Sequence, residues 1–190
     1  MRVIAGSARG RQLADFSGQA IRPTPDRVRE ALFSILFSRC GSLEGKLVLD
    51  LFAGTGALGI EALSRGAGHA WFVDHAAQSV RTIHTNLQRC SLAERASVLS
   101  RDAWKVLIEL TAVGPFQLIF ADPPYGQGSG PRLLGELQRC SLLSPGGLLV
   151  IETSEADPMP ALTPGFQLLD QRRYGITVLH LYQQFSEAES

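Results

Sequence analysis

Short apolar runs alternate along this chain with amphipathic stretches, and their order predicts the architecture. Leu47 to Phe52 is an almost unbroken apolar run of strand length, the pattern of a strand covered on both faces. Residues 70–74, 96–99, 116–121 and 148–152 repeat the theme. Residues 59–65, 78–90, 104–110 and 132–140 lie between these runs and read as helices. Strands that alternate with helices call for a parallel sheet with helices on both faces. Near the end, residues 166–172 and 176–182 both read as strands, joined around Gly175. Such a hairpin would add an antiparallel strand to an otherwise parallel sheet.

The first 40 residues follow a different pattern. Val3 to Leu13 predicts a small hairpin around Gly10. Pro23 and Pro25 then predict a helix start, with Asp26 in the first turn and Val28, Leu32, Ile35 and Leu36 on the apolar face. Residues 1–40 read as an extension, 41–183 as the main domain and 184–190 as a tail. One hexapeptide, Leu-Gln-Arg-Cys-Ser-Leu, occurs at both 87–92 and 137–142. Each copy ends a predicted helix, and we attach no function to it.

Composition narrows the class. Of the 190 residues, 45% are hydrophobic and 19% charged, which is globular rather than disordered. No run of about 18 apolar residues predicts a membrane span, and no leader-like apolar stretch follows Met1, so a cytoplasmic location is expected. Cys40, Cys90 and Cys140 are widely spaced and odd in number; reduced thiols and no metal site are expected. The net charge is zero, but residues 1–40 hold seven arginines against Asp15, Asp26 and Glu30. Arginine contacts phosphate bidentately and stacks on bases, which suits RNA; a solvated face is the plainer alternative.

The first predicted strand runs into Ala53-Gly54-Thr55-Gly56-Ala57-Leu58-Gly59, and Asp74 follows Gly54 by 20 residues. A glycine loop between strand and helix, with an acid ending the next strand, marks a nucleotide-type cofactor site. By itself it does not separate NAD from S-adenosylmethionine. Asp50 favours the second, because a carboxylate at the loop would repel a pyrophosphate, while S-adenosylmethionine carries an ammonium and a sulfonium. Asp74 can accept from ribose hydroxyls. Asp102, beside the Ala103 amide, can accept from the adenine amine. A strand-end aspartate can equally cap a helix.

Asp122-Pro123-Pro124-Tyr125, at the end of the fourth strand, is the most specific signal. An exocyclic base amine is a weak nucleophile, because its lone pair is delocalised into the ring. The Asp122 carboxylate and the Pro123 carbonyl can accept its N–H hydrogens and stabilise the charge that develops on nitrogen. Pro123 and Pro124 restrict the turn, and Tyr125 offers a face for stacking a base. The tetrapeptide also permits adenine N6 or a protein glutamine amide as acceptor. A nicotinamide oxidoreductase and a non-enzymatic assembly factor are the remaining rivals.

Asp50 to Gly59, Asp74, Asp102 and Asp122 to Tyr125 together resemble the motif series of class I methyltransferases. The segment from Arg22 to Phe33, together with Gly10-Arg11 and Arg173 to Tyr182, is similar to a narrower group, the RsmD family. The resemblance spans nearly the whole chain up to Gln183. It implies a Rossmann-like α/β fold, with a seven-stranded, mostly parallel sheet, an antiparallel C-terminal hairpin strand and a short N-terminal extension. It implies methyl transfer from S-adenosyl-L-methionine to the N2 of one guanine in 16S ribosomal RNA, within an assembled or late-assembling small subunit. The implied cofactor residues are Thr24, Arg27, Asp50, Phe52, Ala53, Gly54, Thr55, Gly56, Gly59, Asp74, His75, Asp102 and Ala103, with Asp26 near the same end. The implied RNA contacts are Arg2, Arg9, Arg11, Arg22 and Tyr125. A monomer is the simplest working form. Ala76 stands where the family often has a second acid or amide after the ribose-binding acid.

Overall fold

The computed structural model describes residues 1–15, 26–124, 126 and 128–185. It falls into two compact units, Met1–Ala103 and Trp104–Ser190. The expected helix start at Pro23 and Pro25, and most of the expected tail, lie outside the described residues.

In the first unit, helix α1 (Asp26–Cys40) buries Val28, Leu32, Phe33 and Leu36. Ile35, expected on that stripe, is only half-buried, and Phe33 takes its place. Three parallel strands follow: β1 (Leu47–Leu51), β2 (His69–Asp74) and β3 (Ala96–Ser100), with β2 between the other two. β1 stops one residue short of the apolar run because Phe52 adopts a left-handed φ of 57°, which cannot continue a strand. Helix α2 (Ala57–Ser64) links β1 to β2, and α3 (Ala77–Cys90) links β2 to β3. The N-terminal hairpin is present: Arg2 pairs with Gln12, and Gly10 turns the chain with a φ of 81°.

In the second unit, α4 (Ala103–Leu110) leads into β4 (Phe116–Ala121), α5 (Ser129–Arg139) and β5 (Leu143–Ser154). Helix α5 begins three residues before the expected Arg132, because Pro131 sits in its first turn, where no amide donor is needed. β4 and β5 are parallel. β8 (Thr177–Gln184) runs antiparallel to β5, and β7 (Phe166–Tyr174) antiparallel to β8. The reversed strand is therefore where the hairpin pattern predicted it. A further pair, Leu162–Thr163 (β6), edges β7 and brings the described strands to eight rather than seven. Two residues are too few to leave a periodic signature.

The repeated hexapeptide has a structural cause. Ser91 and Ser141 are both left-handed, and Leu92 and Leu142 donate back to Leu87 and Leu137 at 3.0 and 3.2 Å. Both copies are Schellman-type helix ends. Cys90 and Cys140 are buried free thiols, and Cys40 is a half-buried one. Among the described residues, no helix is long and apolar enough to cross a membrane.

Candidate active site

Parallel pairing brings the carboxyl ends of β1, β2 and β3 to one edge of the first unit, where open α/β sheets bind ligands. Asp50, on β1, is 4% exposed, and its Oδ2 accepts the Gly59 amide at 2.9 Å. It thus anchors the first turn of α2 and places negative charge at the positive end of that helix. Asp74 ends β2, with Oδ2 accepting from the Gly54 amide at 2.9 Å and Oδ1 from the Ala76 amide at 2.8 Å. Ala53 donates to Val73 at 3.0 Å, and Gly56 to Ala53 at 2.7 Å.

The amides of Ala53, Gly54, Gly56 and Gly59 are therefore all taken by protein acceptors. A loop built for pyrophosphate turns such amides toward the ligand. This one holds two carboxylates against them instead. It fits a cofactor that brings cationic and hydroxyl groups rather than phosphate, as S-adenosylmethionine does. Each Asp74 oxygen keeps a lone pair for a ribose hydroxyl. Phe52 to Thr55 are half-buried, so the loop edge is reachable. His75 and Asp102 are exposed, and Ala103 is buried.

Gly59 also has a packing part that the sequence reading did not give it. A Cβ there would lie 2.4 Å from Phe72 Cε1 and 3.1 Å from Asp50 Oδ2. Its bareness serves the packing of α2 on β2.

In the second unit, Asp122 directly follows β4. Ala121 pairs with Ile151, so the next register position sets Asp122 beside Glu152. Asp122 keeps solvent access along part of its surface while protein atoms crowd its carboxyl from the other side, and Pro123 is buried. Surrounding protein strips much of the hydration from the Asp122 carboxyl, and the Glu152 charge adds to this. Together they push the group up to about 7. Tyr125 lies outside the described residues.

Comparison with known proteins gives the family. A family model described as "Conserved hypothetical protein 95" matches residues 1–183. The Bacillus subtilis protein YlbH is 35% identical over 185 residues, spanning 97% of this chain and 99% of its own. Ribosomal RNA small subunit methyltransferase D of Haemophilus influenzae is 34% identical over 186 residues, 96% of this chain and 93% of its own. The chain belongs to the RsmD family. The solved structure of the Escherichia coli protein yhhF superposes with a TM-score of 0.83 at 30% identity, covering 98% of this chain and 99% of that one.

Within this RsmD-family chain, the residues expected to touch RNA fall into three groups. Arg9 is exposed. Arg2 pairs with Asp26 at 3.5 Å, and Arg11 donates to the Arg89 carbonyl at 3.0 Å, where it helps close the end of α3. Arg22 lies outside the described residues, as does Thr24, which was expected at the cofactor. Arg27, expected near the cofactor, is exposed on α1.

Sequence reading missed several residues that hold the site. Asn86, fully buried on α3, accepts from the Ala14 amide at 2.6 Å and donates to the Thr55 carbonyl at 3.0 Å. It ties the glycine loop to the N-terminal extension. Glu61, 1% exposed, accepts from the Ile4 and Ala5 amides at 2.8 and 3.0 Å and pairs with Arg65 at 2.7 Å. Arg29, fully buried on α1, pairs with Asp26 at 2.9 Å and donates to the Arg2 carbonyl. Burial pulls its guanidinium below the usual value. The available signal was a polar residue at an apolar position of a helical stripe, as with Asn86 between Ile83 and Cys90.

Proposed function

We propose that this chain is an S-adenosylmethionine-dependent methyltransferase of ribosomal RNA, with the exocyclic N2 of one guanine in 16S RNA as the acceptor. The observation that carries this reading is the Asp122-Pro123-Pro124 turn at the end of β4. It sets an exposed aspartate beside a buried proline directly after β4, in a chain akin to ribosomal RNA small subunit methyltransferase D. The carboxylate-filled glycine loop supports the cofactor assignment.

The cofactor would supply the electrophilic methyl group, held by the glycine loop and by Asp74 at its ribose. The chain's own residues prepare the acceptor. The Asp122 carboxylate and Pro123 carbonyl accept the two amine hydrogens, which draws the nitrogen lone pair out of conjugation. Charge that builds on nitrogen is met by Asp122. A carboxyl near 7 is also a competent acceptor for the proton that nitrogen must lose. Because the ionised form does this work, turnover of the free enzyme rises with pH through about 7.

A guanine within a folded RNA must be unstacked to reach such a turn. The reading takes a small ribosomal subunit, assembled or nearly so, as the substrate and a monomer as the enzyme. The test supplies labelled S-adenosylmethionine with small subunits, and in parallel naked 16S RNA, from a strain lacking the activity. Label as N2-methylguanosine at one position supports the assignment. N6-methyladenosine, or label on protein only, overturns the acceptor.

A further inference from the structure

The residue after Asp122-Pro123-Pro124-Tyr125 is held by a part of the chain that no motif marks. The Gly126 amide donates to Asp157 Oδ2 at 2.9 Å. The same oxygen accepts from Ser154 Oγ at 2.9 Å, and the Asp157 amide donates back to the Ser154 carbonyl at 3.1 Å. Asp157 thus closes a tight turn on the last residue of β5 and reaches from there to the acceptor turn.

The turn itself is fixed to the sheet. Ser154 pairs with Thr177 of β8, the Glu155 amide donates to the Ile176 carbonyl at 2.9 Å, and Glu155 forms an ion pair with Arg173. Further on, the buried Tyr182 donates its hydroxyl to the Pro160 carbonyl at 2.6 Å. Between these anchors Met159 lies against the bare α-carbon of Gly130, where a Cβ would fall 2.3 Å from its sulfur. Gly126 is left-handed, with a φ of 83°, and its carbonyl accepts from Ser129 Oγ at 3.0 Å at the start of α5. The segment between β5 and β6 therefore holds the chain at Gly126, between β4 and α5, and at Gly130 in the first turn of α5.

We propose that Asp157 is a positioning residue that holds the acceptor turn in place through the Gly126 amide, so that Asp122 and the Pro123 carbonyl meet the amine in a fixed geometry. The proposal rests on the methyltransferase reading above. Asp157 touches no reacting atom in this scheme. The Gly126 and Ser154 donors keep its carboxyl below the usual range, so the grip persists at neutral pH. Misplacing a reacting group by about 1 Å can cost on the order of 100-fold in rate.

The test uses the full chain with Asp157→Ala, Asp157→Asn and Ser154→Ala. Two quantities are read: exchange of the Gly126 amide by NMR, and kcat and KM on small ribosomal subunits. In Asp157→Ala, Gly126 exchange should quicken about tenfold or more. The same variant should lose about 10- to 100-fold in kcat, with cofactor Kd unchanged. Asp157→Asn keeps one acceptor oxygen and should fall between Ala and wild type in both. Ser154→Ala should move both quantities the same way, by less. Unchanged Gly126 exchange overturns the grip. Quickened exchange with unchanged kcat overturns the positioning role. A wild-type protein that methylates no ribosomal RNA defeats the functional reading instead, and the exchange measurement still decides the grip.

Discussion

Replacing Gly59 by alanine separates two explanations of the glycine loop's third glycine. In an unencumbered helix the change would stabilise by about 1 kcal/mol. Here the new methyl would sit 2.4 and 2.7 Å from Cε1 and Cζ of Phe72, far inside contact distance. Phe72 is wholly buried on β2, so its ring cannot swing into solvent. Overpacking of this kind costs about 1–3 kcal/mol. The methyl also presses within 3.1 Å of Asp50 Oδ2, the acceptor of the Gly59 amide. Weakening a charge-assisted bond of that type adds about 1 kcal/mol. The balance is a net loss of about 1–3 kcal/mol, or roughly 3–10 °C in Tm for a chain of this size. Urea and thermal unfolding followed by circular dichroism measure it. Shortening the ring in Gly59→Ala/Phe72→Leu should recover about 1 kcal/mol or more relative to the sum of the single changes. Cofactor affinity of the folded Gly59→Ala protein should stay near wild type. Undiminished stability with a large loss of cofactor affinity would refute this reasoning and return Gly59 to the ligand.

Asp122→Asn should keep cofactor binding and lose about 100-fold or more in turnover. Its stability should respond to pH as well. The folded carboxyl sits at about 7, well above the ordinary 3.8, so the folded state holds a proton that the unfolded state releases, and ionisation costs stability as pH rises through 7. The asparagine variant escapes that cost, so its Tm advantage should widen between pH 5 and 8; a constant gap contradicts the shift. Glu61→Ala leaves the Ile4 and Ala5 amides and Arg65 without their acceptor. It should lose about 3 kcal/mol and open residues 1–15 to limited proteolysis; an unchanged cleavage pattern would count against Glu61 as the anchor. Arg9→Ala/Arg11→Ala should weaken RNA binding and reduce its salt slope by about 2. An equal slope would make both arginines ordinary surface charge.

Seven of the eight described strands were legible because each carries its own signal: five short apolar runs in order, then a hairpin around Gly175. Asp122-Pro123-Pro124-Tyr125 was legible as a motif because it is contiguous, and its first residue directly follows β4. Asp50 and Asp74 were legible by position, but their work was not. Sequence placed them as ligand acceptors, and the structure shows both also holding the loop's amides. Glu61, Asn86, Glu152 and Asp157 gave little or no warning. Their partners lie far off in sequence, 57 residues for Glu61 with Ile4, 72 for Asn86 with Ala14 and 31 for Asp157 with Gly126.

That division has a physical reason. Periodicity, glycine placement and short motifs report what the backbone does within a few residues, and the sequence alone determined those features: the βα alternation, the reversed strand, the glycine loop and the acceptor turn. Which carboxylate meets which amide, and whether a glycine is bare for a ligand or for a neighbouring ring, depends on chain segments brought together by packing. Only the tertiary structure sets Phe72 against Gly59, Glu152 beside Asp122 and Asp157 under Gly126.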